Sequence, residues 1–185
     1  DGWFVGRRDD TAGLGDWYVD ATVWPEGLHP LVDHVRERGM EFGLWVEPEM
    51  VNPDSDLARE HPDWILRARM TLPPSARQQQ VLDLAHSGAY DHVVSRLHEL
   101  LDEYPIAYLK WDHNRDLLDA GSGPDGVARV REHTLALYRR WTSSRPPTPG
   151  WRSRAARREV PGWTWASWPA PTGSGPATAW TRSSA

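Results

Sequence analysis

The 185 residues include no cysteine, which excludes a disulfide framework and any thiolate metal site. No apolar run is long enough to span a bilayer. The formal net charge is −5 with 25% charged residues, so there is no electrostatic footprint for nucleic acid or an anionic membrane surface. A glycine fingerprint for a dinucleotide or a phosphate is missing. The eight histidines are scattered, and no pair has ligand spacing with a third group, so a solvated surface is the default for them and no metal is expected. Asp9-Asp10 lacks the ordered alternation of oxygen ligands that calcium needs, so it reads as solvent-exposed. An initiating Met is also lacking. Asp1-Gly2-Trp3-Phe4 reads as the end of a strand, so an earlier segment is expected.

The chain does have a strand–helix rhythm. Strand candidates are residues 1–6, 41–47, 79–84 and 106–112. Helix candidates are residues 28–38, a short piece running through Glu60, residues 87–103 and residues 126–140. Leu28, Leu31, Val32 and Val35 recur at spacings of three and four, as do Val93, Val94, Leu97, Leu100 and Leu101, the mark of amphipathic helices. Gly39 follows two basic residues, as at a helix C-terminus. Asp54-Ser55-Asp56 can cap the short helix. Such alternation predicts an α/β fold with a parallel sheet. Three strand candidates end in carboxylates, at Glu47, Asp83 and Asp112. Parallel barrels and open sheets alike place ligands at the C-terminal ends of strands. Without a phosphate or dinucleotide fingerprint, a partial (β/α)8 TIM barrel of about four βα units is the expected architecture.

The centre of the chain is Tyr108-Leu109-Lys110-Trp111-Asp112-His113-Asn114-Arg115. The apolar run Ile106 to Leu109 delivers a lysine, a tryptophan and a carboxylate to one strand end. Asp112 beside cations is either a structural ion pair or a nucleophile kept ionised by Lys110 and Arg115. Glu47 and Glu49 around Pro48 read as a solvated strand end, Asp83 as a structural carboxylate, and Trp17, Trp64 and Trp111 as packing residues.

Five segments stand together in one order. They are Asp1-Gly2-Trp3-Phe4 with Leu14-Gly15-Asp16-Trp17; Gly43-Leu44-Trp45-Val46-Glu47-Pro48-Glu49-Met50-Val51; Asp54-Ser55-Asp56-Leu57 with His61-Pro62-Asp63-Trp64; Arg77 through Val81-Leu82-Asp83-Leu84; and Lys110-Trp111-Asp112-His113-Asn114-Arg115. Over residues 1–140 this order resembles glycoside hydrolase family 36, the α-galactosidases. The resemblance implies a catalytic β/α barrel that cleaves terminal α-linked galactose, with retention of configuration and no cofactor. It makes Asp112 the nucleophile. Asp1 would grip galactose hydroxyls, Lys110 would bond hydroxyls beside the nucleophile, Trp45 would line the sugar site, and Arg77 would hold the site from its loop. Asn114 would complete the nucleophile motif. Galactosides of the raffinose and melibiose type are the expected substrates, full-length members are expected to be homo-oligomeric, and the expected location is cytoplasmic. A raffinose-synthase-type galactosyltransferase, an α-N-acetylgalactosaminidase and a non-catalytic carbohydrate-binding fragment are the alternatives.

Residues 141–185 differ from everything before them. They contain no Leu, Ile, Phe, Tyr, Lys, Asp or Asn, yet hold six of the twelve tryptophans. Such a composition cannot build a core, so disorder is expected. Codon arithmetic offers a cause. Read one base back, Trp141-Thr142, Trp163-Thr164 and Trp180-Thr181 each yield Asp, Trp165-Ala166 yields Gly and Trp168-Pro169 yields Ala. The codes also permit Ser-x-Gly-Gly-Ala-Arg-Val-Asp-Leu-Gly across 157–166 and Trp-Ala-Ser-Asp-Cys-Val-Asp-Ala across 175–182. Both resemble the family's next motifs, the second of which carries the acid/base. The expectation is therefore an out-of-frame tail, with the acid/base codon split between Ala177 and Thr178.

Overall fold

The computed structural model describes residues 2–123, 125–143 and 152–157. Asp1 and the two regions permitting the out-of-frame motifs lie outside them, Arg157 excepted. In chain order the elements are α1 (His29–Glu37), β1 (Phe42–Val46), β2 (Met50–Val51), α2 (Asp56–Glu60), a 3-10 turn (Pro62–Trp64), β3 (Gln80–Val81), α3 (Ser87–Glu103), β4 (Ile106–His113), β5 (Gly121–Ser122), β6 (Val127–Ala128), α4 (Val130–Ser143) and β7 (Arg152–Arg157).

The fold is α/β. Strands β1, β4 and β7 form a parallel sheet in the order β1-β4-β7. Trp45 pairs with Lys110, Val46 with Trp111 and Asp112 with Ala156. Because the strands are parallel, their C-terminal ends emerge together, and β1 and β4 deliver their polar residues to one edge.

The expected third parallel strand is a correction. Residues 79–84 contribute only β3, which pairs antiparallel with β2, Met50 opposite Val81. The apolar run Val81-Leu82-Leu84 is buried as a strand would be, but a short run does not say what it pairs with. Asp83 is accordingly not at a parallel-strand exit. It is 2% exposed and accepts from the Ala85 amide (3.0 Å) and the Ser122 hydroxyl, a structural role as expected. The expected strand at residues 1–6 is reduced to a single antiparallel bridge, Phe4 to Val19. Of residues 141–185, the structure describes 141–143, which end α4, and 152–157, which form β7; the rest of the expected tail lies outside the described residues.

Helices α2 and α3 follow their patterns, whereas the helix expected at 126–140 begins at Val130, with Val127 in β6 instead. Helix α3 buries Ala89, Val93, Leu97, Leu100 and Leu101. Helix α2 is capped by the Ser55 hydroxyl, which accepts from the Ala58 amide at 3.1 Å. Its first amides also donate to Asp16, from Asp56 at 3.1 Å and Leu57 at 2.9 Å, as suits a carboxylate at a helix N-terminus. Under β1 the core is aromatic. Trp3, Phe4 and Trp17 are buried, with Phe4 and Trp17 ring centres 4.8 Å apart. The Trp3 indole donates to the Trp45 carbonyl at 2.9 Å, tying this cluster to the strand that carries the site.

Candidate active site

A cleft of roughly 470 Å³ opens at the strand exits, lined by Arg7, Asp10, Trp45, Glu47, Arg77, Gln79, Lys110, Asp112 and Asn114. That volume suits a small polar ligand. Five of the six expected site residues meet there: Asp112, Trp45, Arg77, Lys110 and Asn114. The sixth, Asp1, lies outside the described residues. Arg7, Asp10, Glu47 and Gln79 were not anticipated as site residues. Glu47 stands at a recognisable strand exit, but the ring of partners around it comes from distant sequence.

Strand alternation places Lys110 and Asp112 on the cleft side of β4. One Asp112 oxygen accepts from the Trp45 indole at 3.0 Å and lies 3.7 Å from the Lys110 ammonium. The other accepts from the His113 amide at 3.1 Å. Burial alone would push this carboxyl up. The hydrogen bonds from Trp45 and Asn114, the Lys110 charge and the His113 amide outweigh it, holding Asp112 below the ordinary aspartate range. It is therefore ionised at neutral pH, as a nucleophile must be.

Arg115 plays no part in this, which corrects the expectation that it neighbours the carboxylate. It is 3% exposed and donates to the Gln79 carbonyl, Gln80 Oε1 (2.9 Å) and the Pro74 carbonyl (2.8 Å). Its role is to hold the segment that carries Arg77.

Glu47 and Glu49 are not a solvated strand end. They are 1% and 0% exposed. Glu47 accepts from the Asn114 amide at 2.8 Å and from Gln79 Nε2 at 3.1 Å. Burial pushes its pKa up; the Asn114 amide opposes that and the Asp112 charge adds to it, leaving Glu47 above the ordinary range. With a donor on each oxygen, Glu47 ties the β1 exit to the β4 exit and to the 76–79 segment. Glu49 faces inward. It accepts from the Trp111 indole at 3.0 Å and from His133 Nε2 at 3.2 Å. His113 Nδ1 lies 3.3 Å from it without hydrogen-bond alignment. His133 and His113 are 1% and 7% exposed, which corrects the surface reading of the histidines at these two positions. Trp111 packs as expected and also serves as a donor.

Arg7 is 6% exposed, with its guanidinium over the rings of Phe4 (5.8 Å) and Trp45 (6.0 Å). Burial lowers its pKa and the Glu47 charge opposes that. Asp9 and Asp10 are exposed, as expected, and Asp10 reaches the cleft rim. Among the described residues, no group of three His, Asp or Glu side chains could hold a metal ion, and no helix is long and apolar enough to cross a membrane.

A parallel-strand exit with an ionised aspartate, an indole, a lysine and guanidinium groups is a polar-ligand site in an α/β chain. The Melibiase family model matches residues 1–145. An α-galactosidase of Escherichia coli is 52% identical over 139 residues, covering 75% of this chain and 19% of that protein. α-Galactosidase AgaA of Geobacillus stearothermophilus is 43% identical over 143 residues, covering 75% and 20%. Among solved structures, α-galactosidase AgaB of the same organism superposes with a TM-score of 0.79 at 38% identity, covering 85% of this chain and 22% of that one. A variant of AgaA in complex with raffinose gives 0.78 at 38% identity, with the same coverage. The chain therefore belongs to the melibiase family, the α-galactosidases of glycoside hydrolase family 36. It spans about a fifth of the length of these relatives.

Proposed function

We propose that residues 1–140 are part of the catalytic barrel of an α-galactosidase and that Asp112 is its nucleophile. The observation that carries this reading is the Asp112 carboxylate, held ionised at a parallel-strand exit by Trp45, Asn114, Lys110 and the His113 amide. Within residues 1–140, the parallel pairing of β1 with β4 supports a partial barrel. Residues 141–185 are proposed to be an out-of-frame tail that lacks the acid/base.

The chemistry is a double displacement. An Asp112 oxygen attacks the anomeric carbon of an α-galactoside. The C1–O bond to the aglycone breaks, and the leaving oxygen takes a proton from a second carboxyl group. Water then attacks the galactosyl ester and gives its proton back to that group. Galactose of the original configuration leaves, and Asp112 is restored. Lys110 and Asn114 bond sugar hydroxyls while keeping Asp112 charged, Trp45 presents a ring to the C–H face, and Arg77 closes the rim. AgaA variants have been solved with raffinose and with stachyose, which supports galactosides of that type as substrates.

The test uses the in-frame, full-length protein and 4-nitrophenyl α-galactoside. Asp112→Ala abolishes nitrophenol release on this reading; release at the wild-type rate removes Asp112 from the mechanism.

A further inference from the structure

Asn52 is 0% exposed, and the residues it binds belong to the cleft's two rim loops. Its Oδ1 accepts from the Leu14 amide at 2.8 Å and lies 3.5 Å from the Arg7 guanidinium. Its Nδ2 donates to the Gln78 carbonyl at 2.8 Å and the Asp10 carbonyl at 3.3 Å. The two ends cannot be exchanged: an amide N–H on one side demands an oxygen, and two carbonyls on the other demand the amino group. Its backbone amide donates to the Leu14 carbonyl at 3.0 Å. One buried carboxamide thus joins the loop holding Arg7 and Asp10 to the loop holding Arg77 and Gln79, four of the cleft's lining residues.

The second loop needs holding. The Gln79 amide donates to the Ala76 carbonyl at 3.1 Å, closing a four-residue turn. Both central residues, Arg77 and Gln78, have positive φ, at 54° and 58°. That is the pattern of a type I′ turn, which prefers Asn and Gly at these positions. Neither residue is suited to it, so the turn persists because its surroundings determine it. Asn52 grips the carbonyl of the second strained residue. On the other rim, Gly13 has φ of 86°, and a Cβ there would meet the Val5 carbonyl at 2.6 Å. That loop is thus tightly folded, and Asn52 anchors one to the other.

We infer that Asn52 is a positioning residue which, through Gln78, holds the strained Arg77–Gln78 turn and so sets where Arg77 meets the sugar. The sugar-binding half of this inference rests on the α-galactosidase reading; the holding of the turn does not.

The experiment uses the 185-residue chain with Asn52→Asp, which keeps the shape and the acceptor for Leu14 but loses the donor to Gln78. Amide hydrogen exchange is followed at Gln79, with buried amides of α3 as the control, and galactose binding is followed by tryptophan fluorescence in the in-frame, full-length protein carrying the same substitutions. N52D should speed Gln79 exchange by about tenfold or more, the scale of a lost hydrogen bond to a buried group, and leave α3 unchanged. Adding Gln78→Gly, which removes the positive-φ penalty, should restore much of the protection, and the two changes should not be additive. Galactose should bind N52D about tenfold more weakly and the double variant nearly as well as wild type. Unchanged Gln79 exchange in N52D overturns the inference. So does faster exchange with undiminished galactose affinity. If N52D unfolds, Gln78→Gly alone decides: it must slow Gln79 exchange, and faster exchange contradicts a strained turn. Failure of the in-frame, full-length wild-type protein to bind galactose would refute the function reading while leaving the exchange result to judge Asn52.

Discussion

Along β4, Lys110 and Asp112 face the cleft, whereas Trp111 and His113 face the interior, where both approach Glu49. Both sides hold a carboxylate with an indole donor at 3.0 Å, Trp45 for Asp112 and Trp111 for Glu49. The similarity ends there. Asp112 has solvent on one side and an exposed lysine 3.7 Å away. Glu49 has no exposure and takes its second donor from His133, whose other nitrogen accepts from the Leu84 amide at 3.4 Å. The two faces of β4 therefore meet two different carboxylates: its own Asp112 at the open cleft, and Glu49, from the β1–β2 connection, in the interior. The same recognition chemistry serves both, and access to the cleft separates them.

The sharpest break of this comparison is in activity. In the in-frame protein, Asp112→Ala should cut turnover by more than about 10⁴-fold, as for removal of a nucleophile, while its denaturation midpoint stays near wild type. Glu49→Ala should do the reverse to the fold. It strands the Trp111 and His133 N–H groups in the interior, which should cost about 3–5 kcal/mol, read by urea unfolding. Trp111→Phe removes one donor from Glu49 and should cost about 1–3 kcal/mol without altering the titration of Asp112. The smallest effects are in pH dependence. Asp112 is held low, so its contribution to stability is present above the ordinary aspartate pKa and is lost as pH falls through its folded value. Glu47 is pushed up, so its contribution is present below the ordinary glutamate pKa and is lost as pH rises through its folded value. Asp112→Asn should therefore flatten the acid limb of a melting-temperature profile and Glu47→Gln the limb above it. Lys110→Met should move the acid limb of kcat/KM to higher pH, because the Asp112 charge loses a neighbour.

What the sequence disclosed follows the range of the interactions. Helix α3 was expected at 87–103 and occupies Ser87–Glu103, because an amphipathic repeat is local. Strand β4 was expected to end at Asp112 and ends at His113. The partners of Glu47 and Glu49 were not legible, because Asn114 and His133 stand 67 and 84 positions away. A glutamate beside a proline looks solvated until its donors are known. Arg115 misled for the converse reason: three positions from Asp112, it spends its guanidinium on the 74–80 segment. Asn52 left no sequence signal at all, since its four partners lie in two other loops.

The central claim is that the cleft-side carboxylate of β4 attacks the sugar. An activated galactoside that forms a slowly hydrolysed galactosyl ester, with a leaving group needing no proton, tests it without the acid/base. After reaction with the protein and proteolysis, mass spectrometry locates the adduct. The account predicts a galactosyl group on Asp112 that is absent in Asp112→Ala; a galactosyl group on Glu47 or any other residue would contradict it.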